Sequence, residues 1–359
     1  MNINIIDAEI KTIVEDKYRY LAFPSISVAG KDRFMLLFHE APLREPDTQY
    51  DPDSLLAAIT GHSVMDMEKD TRRVVPRFPG SGYSPGLAKL DDEKVIITDN
   101  NWFIYNWLGE HDVRIIRGHE WVTMLRGGHS IIADVSGEKP LFGKPSRISC
   151  VHYPIVECYD SPIVTDDGSI LSAVDFNSNC TQLQERPWET VILKSDDTAE
   201  SWHHTGSIYL EKDYPELPRL HKPSIVKLPG GDVLCLMASY GDERVLYSSV
   251  SKDNGDNWSV PVDTGIYGGF HHSLIALADG RVLVFYSTYE KPFVIYMVIS
   301  EDGGRTWQAE DAWKLSDESE SDDYGWARGM EIGPSEIFIT YYKHSASGSR
   351  VIRGARFRI

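Results

Sequence analysis

Arginine, lysine, histidine and tyrosine collect at six places in this chain, each directly ahead of an apolar stretch. The clusters are Arg19 with Tyr18 and Tyr20; Arg77 with Tyr83; Glu157 with Tyr159; Arg219, His221 and Lys222; His271 and His272; and Tyr324 with Arg328. Cations in this density suit an oxyanion, because a guanidinium fork grips a carboxylate through two hydrogen bonds. Neutral histidine and tyrosine add proton transfer, and tyrosine also a nucleophile. Positions used only for packing would not need such charge. His271 and His272 also suit strand residues bonded to backbone, and no third ligand is spaced to them, so no metal and no cofactor is expected.

The elements that must position these residues repeat. After each cluster comes an apolar stretch, a turn and a β-branched run, as in 23–38, 84–98, 161–176, 223–238, 273–286 and 327–342. Each copy reads as two strands joined by a hairpin, with clear turns at Asp166-Asp167-Gly168, Pro229-Gly230-Gly231 and Asp279-Gly280-Arg281. A second motif runs out of phase with the first. It is Ser-x-Asp-x-Gly-x-x-Trp at 251–258 and 300–307, with a third copy at 195–202 that carries Ala199 in the glycine place. Spacings of about 50 residues are blade-sized, and four strands per repeat predict an all-β, six-bladed β-propeller over 1–359 as a single domain. The long second interval, with Trp102, Trp107 and Trp121, leaves seven blades open. The first strand of each blade lines the central funnel, which turns the six clusters into a list of ligand-facing residues.

The Ser-x-Asp-x-Gly-x-x-Trp copies are similar to the Asp-boxes of the sialidase superfamily, and the resemblance covers nearly the whole chain. It implies boxes on outer turns, a six-bladed propeller, and a carbohydrate-active enzyme, in first place an exo-glycoside hydrolase acting on an acidic sugar. Arg19 stands where the family places an arginine on the sugar carboxylate. Asp51 stands where the acid/base aspartate is expected, Tyr341 at the place of the nucleophile tyrosine, and Glu157 is the candidate carboxylate beside it. The chain also departs from the family. His221-Lys222-Pro223 replaces the usual Asn-Glu-Pro, and Ala238-Ser239-Tyr240 and Glu290-Lys291-Pro292-Phe293 stand where two further clamp arginines are expected.

Two chemistries and one binding role therefore remain open. Arg77, Arg219 and Arg328 rebuild an anion clamp in a hydrolase. Alternatively His221, His271 or His272 with Tyr83 or Tyr341 performs β-elimination on a uronate, as in a polysaccharide lyase. A non-catalytic glycan-binding propeller is the third reading. Tyr341 also suits a core-facing strand position. The net charge of −18 argues against nucleic acid or an anionic membrane as partner, leaving an oligosaccharide or glycoconjugate. The start lacks a signal pattern, which predicts a cytoplasmic chain. The four cysteines have no metal spacing, and the acidic run 317–323 reads as a solvated loop.

Overall fold

The computed structural model describes residues 6–43, 51, 53–78, 82–105, 114–116, 119–176, 188–241, 244–345 and 348–359. Six antiparallel sheets follow one another along the chain and form six blades. Their inner strands are Arg19–Val28, Gly86–Lys89, the pair Glu157–Cys158 and Ile163–Val164, Leu220–Lys227, Phe270–Ala276 and Gly325–Gly333. Every hairpin copy read from the sequence supplies the inner two strands of one blade. Among the described residues the long second interval makes no seventh blade. It extends blade 2 into a ribbon of Lys94–Tyr105 against His119–Asp134.

Apolar faces between blades hold the ring together. Six buried clusters lie between neighbouring blades, and the one that joins Leu36, Phe38 and Ile59 of blade 1 to Phe338, Tyr342 and Ile352 of blade 6 reaches on to Tyr83 and Tyr159 at the axis. The ring closes where the first strand, Ile6–Glu15, becomes the outer strand of blade 6 against Arg350–Arg358. Strands from the first and last parts of the chain thus share one sheet, which latches the ring.

The three Asp-boxes sit on the outer hairpins of blades 3, 4 and 5. In each, the serine hydroxyl donates to the aspartate at 2.8 Å and the aspartate accepts a backbone N–H four residues on at 2.8–2.9 Å. The turn needs two consecutive residues with positive φ: Thr198 and Ala199, Asn254 and Gly255, Gly303 and Gly304. The tryptophans Trp202, Trp258 and Trp307 pack into the clusters shared with the preceding blade. Asn257, part of a glycosylation pattern, bonds Asp253 within its box at 2.8 Å.

The acidic run is not simply solvated. Asp317 accepts from Tyr341 at 3.0 Å and Lys343 at 2.9 Å, and Asp323 accepts from Tyr342 at 2.8 Å and Arg350 at 2.7 Å. These bonds pin the loop onto blade 6.

The box turns offer a contrast between strain and packing. Gly304 has φ +86°, and a Cβ there would collide with Leu234 of blade 4. Gly304→Ala is expected to destabilise by about 3 kcal/mol in urea melts, from left-handed strain plus overpacking. Ala199 already bears that strain at φ +65°, yet its methyl is buried. Ala199→Gly is expected to shift stability by less than about 1 kcal/mol, because relief of strain offsets the lost methyl burial.

Candidate active site at the propeller hub

At the same point of five blades a non-glycine residue adopts a left-handed φ: Phe23 (51°), Ser84 (64°), Lys222 (56°), His271 (49°) and Trp326 (53°). In four of them the ladder slips there, between Ala22 and Ser25, His221 and Ser224, Phe270 and Ser273, and Gly325 and Arg328. Such a bulge swings a side chain off the pleat and costs about 1–3 kcal/mol each. Its result is convergence at the axis. Trp326 touches Phe23 (ring centroids 4.9 Å), Tyr83 (5.5 Å) and His271 (3.6 Å), and Tyr83 touches Tyr159 (6.2 Å). The Lys222 ammonium lies 3.7 Å from the Phe270 ring centroid and 5.7 Å from those of Tyr159 and Trp326.

Beside this aromatic floor stand paired carboxylates. Tyr159 Oη donates to Glu157 Oε2 at 2.7 Å. Asp175, opposite Glu157 in the ladder, accepts the Lys222 N–H at 2.6 Å and the Thr190 hydroxyl at 2.8 Å. Asp160 takes the Arg328 guanidinium and the Ser224 hydroxyl, and Arg328 also donates to the Tyr159 carbonyl. Burial dominates the ionisation of these groups. It pushes Asp175 up to about 8 against the hydrogen bonds from Lys222 and Thr190, and Lys222 down to about 7 against the pull of Glu157 and Asp175. It holds His221 and His271 well below their usual range, so both are neutral at pH 7. Burial, then the Glu157 charge, raise the Tyr159 hydroxyl well above the ordinary tyrosine range.

An open cleft of about 370 Å³ leads outward from Lys222 between blades 4 and 5, lined by His221, Tyr240, Arg244, Phe270 and Tyr289.

The model of the BNR repeat-like domain matches residues 154–340, more than half of the chain. The chain belongs to that family. Among solved structures, this BNR repeat-like propeller is similar over 98% of both chains to a protein of unknown function from Dyadobacter fermentans (19% identity, TM-score 0.80). It also resembles the NanB sialidase of Streptococcus pneumoniae (11% identity, TM-score 0.65, covering 98% of this chain and 70% of that one). A third likeness is to the Trypanosoma rangeli sialidase in complex with the inhibitor DANA (11% identity, TM-score 0.62, 94% of this chain). The chain spans about half of that sialidase, 55% of its length. No curated protein matches by sequence. The propeller is thus sialidase-like in fold.

Within this BNR repeat-like propeller, Glu157, Lys222, Tyr83, His271 and His221 come together at the hub and its cleft. Arg328 stands there too, bound to Asp160, while the remaining candidates have other partners. Tyr341 is 1% exposed in the core between blades 5 and 6, because it lies on the face of its strand that packs against Phe285, Ile295 and Met297. Its hydroxyl donates to Asp317, far along the chain from Glu157. His272 is buried with Nε2 3.2 Å from the Leu236 carbonyl oxygen, a tie between blades 5 and 4. Arg219 is exposed and paired with Glu211 at 2.8 Å, and Arg19 shares Glu40 with Arg72. Arg77 is buried, bonded to Ser54 and 3.8 Å from Asp99. Asp51 is buried in its turn, accepting the Asp53 N–H at 2.8 Å. Arg328 is consumed by Asp160. The arginines therefore do not form one clamp.

Tyr159 stood among the sequence clusters without a role of its own, whereas Asp175, Arg244, Tyr240 and Tyr289, which also line the hub and cleft, were not candidates. A signal existed for Tyr159: positions 157 and 159 alternate onto one face of an extended segment. Arg244 comes from a loop with no pattern to mark it.

Removing the partner of a buried charge is costly. Arg328→Met is expected to destabilise by about 3–5 kcal/mol in a denaturant titration, since it leaves Asp160 unpaired. Asp175 sets a pH dependence. Its pKa is raised on folding from 3.8 to about 8, so the stability it contributes is full below pH 4 and lost as pH rises through 8. Asp175→Asn is expected to lose less Tm than the native chain between pH 4 and pH 8.

Proposed function

We propose that this propeller is a carbohydrate-active enzyme that hydrolyses a glycosidic bond of an acidic sugar at the hub, with Tyr159 in place of Tyr341 as nucleophile. The observation that carries this reading is the 2.7 Å hydrogen bond from Tyr159 to Glu157 on the aromatic floor. Glu157 accepts the phenol proton as the oxygen attacks the anomeric carbon, and a neutral phenol meets an anionic sugar without the repulsion a carboxylate would bring. Lys222 takes the acidic group of the sugar, which its position beside Tyr159 allows. The leaving oxygen takes its proton from solvent water, and a second water then cleaves the Tyr159–sugar bond as Glu157 returns the proton to the phenol oxygen.

One observation favours a second chemistry. Lys222, with its ammonium pKa near 7 and neutral His221 and His271 around it, is also a base able to remove the C5 proton of a uronate in β-elimination.

The test is turnover on fluorogenic glycosides of sialic, other ulosonic and uronic acids, with three proteins in parallel. Tyr159→Phe is expected to lower kcat by roughly 10²-fold or more, while Tyr341→Phe retains turnover. Undiminished release by Tyr159→Phe would sink the hydrolase reading. An ultraviolet-absorbing unsaturated product from a polyuronate, abolished in Lys222→Met, would establish the lyase instead.

A further inference from the structure

The cleft between blades 4 and 5 is built differently from the hub it opens onto. Its walls are aromatic and reach solvent. On the blade 4 side Tyr240 is 60% exposed and leans on Trp188 and His221, with ring centroids at 5.3 and 5.8 Å. On the blade 5 side Tyr289 is 40% exposed and packs on Phe270 at 4.1 Å. Between the walls stand two cations. The Arg244 guanidinium lies 3.8 Å from the Tyr289 ring centroid and 5.5 Å from that of Phe270, and Lys222 stands 3.7 Å from the latter.

Among the described residues no carboxylate forms an ion pair with either cation. Glu157 and Asp175 act on Lys222 from the hub side, and Asp322 acts on Tyr289. Arg244 is also held at φ +47°, a left-handed conformation that a side chain adopts at a cost. A loop that needed only to turn would be more stable with glycine there.

We propose that this cleft is a subsite for a second, oxyanion-bearing sugar residue, its ring faces resting on Tyr240 and Tyr289 and its carboxylate or sulfate on Arg244. The proposal rests on the reading of the hub as a carbohydrate site and extends it from one acidic sugar to an acidic oligosaccharide. A volume of about 370 Å³ falls in the range of small-ligand sites. Aromatic faces bind the C–H face of a pyranose, and the guanidinium fork matches a planar carboxylate or a sulfate ester. Two cations near −18 of net charge give a local attraction that a neutral sugar would not use.

The test measures binding rather than turnover, so it does not depend on hub chemistry. Titration calorimetry is run with digalacturonate, with neutral α-1,4-galactobiose, and with a 6-sulfated lactose. The expected result is that at least one anionic disaccharide binds more tightly than galactobiose. Arg244→Gly should weaken it about tenfold or more while thermal stability is kept or raised, because the strained φ is relieved. Tyr289→Ala should weaken it as well. Preference for digalacturonate identifies a uronate subsite, and preference for the sulfated sugar a sulfate subsite. Equal binding of galactobiose, no binding of either anion, or an Arg244→Gly protein of unchanged affinity would overturn the proposal. No hydrolysis of any glycoside in the panel by the native chain, with anion binding intact, would overturn only the hub reading.

Discussion

A carboxylate buried at the axis of a ring must be paired or neutralised, and the way Asp160 meets that demand organises the centre of this protein. Asp160 comes from blade 3, its guanidinium partner Arg328 from blade 6 and its hydroxyl donor Ser224 from blade 4. Arg328 reaches on to the Tyr159 carbonyl, and the Ser84 hydroxyl of blade 2 donates to that same oxygen at 2.6 Å. Trp326 in turn donates to Ser84 at 2.9 Å. Four blades are thus tied by one set of polar contacts in a low-dielectric place, where each missing partner costs more than a surface bond would return. The inter-blade apolar clusters supply the bulk of the cohesion. The polar hub fixes how the inner strands are placed around the axis.

That placement explains why the funnel has an aromatic floor and not an arginine clamp. The left-handed bulges turn Phe23, Lys222, His271 and Trp326 toward the axis, and the space they fill is closed to a guanidinium. The arginines that the sequence places nearby find other partners: Arg328 is spent on Asp160, Arg219 on Glu211 and Arg19 on Glu40. Among the described residues of the hub and cleft, Lys222 and Arg244 remain for an anion. Electrostatics here follows from packing, because burial is the largest cause of each shift at the hub, from Lys222 downward to Asp175 upward.

The fold was legible because its signals are local. A Ser-x-Asp-x-Gly-x-x-Trp turn is specified by hydrogen bonds within eight residues, and a hairpin by alternation about a turn, so both can be read without knowing what lies across the ring. The blade count needed more, since the long second interval fits either an extra blade or a long ribbon. The site was legible in part. Glu157, Lys222, Tyr83 and His271, which the structure brings to the hub, lie at the start of an inner strand or just ahead of it, where the repeat already pointed. Tyr341 was misplaced for the converse reason: adjacent strand residues point to opposite faces, and Tyr341 faces the core between blades while Tyr342 lies against Phe23.

The sequence alone determined the repeat, the strand order, the Asp-box turns and the list of residues able to reach the axis, since each depends on short-range pattern and steric preference. Only the tertiary structure decided which of those residues meet. The capture of Arg328 by Asp160 and the gathering of Tyr240, Arg244 and Tyr289 along one cleft depend on distances between blades that are far apart in the chain. Those distances are set by bulge geometry and by the sum of six packed interfaces, which no single segment encodes.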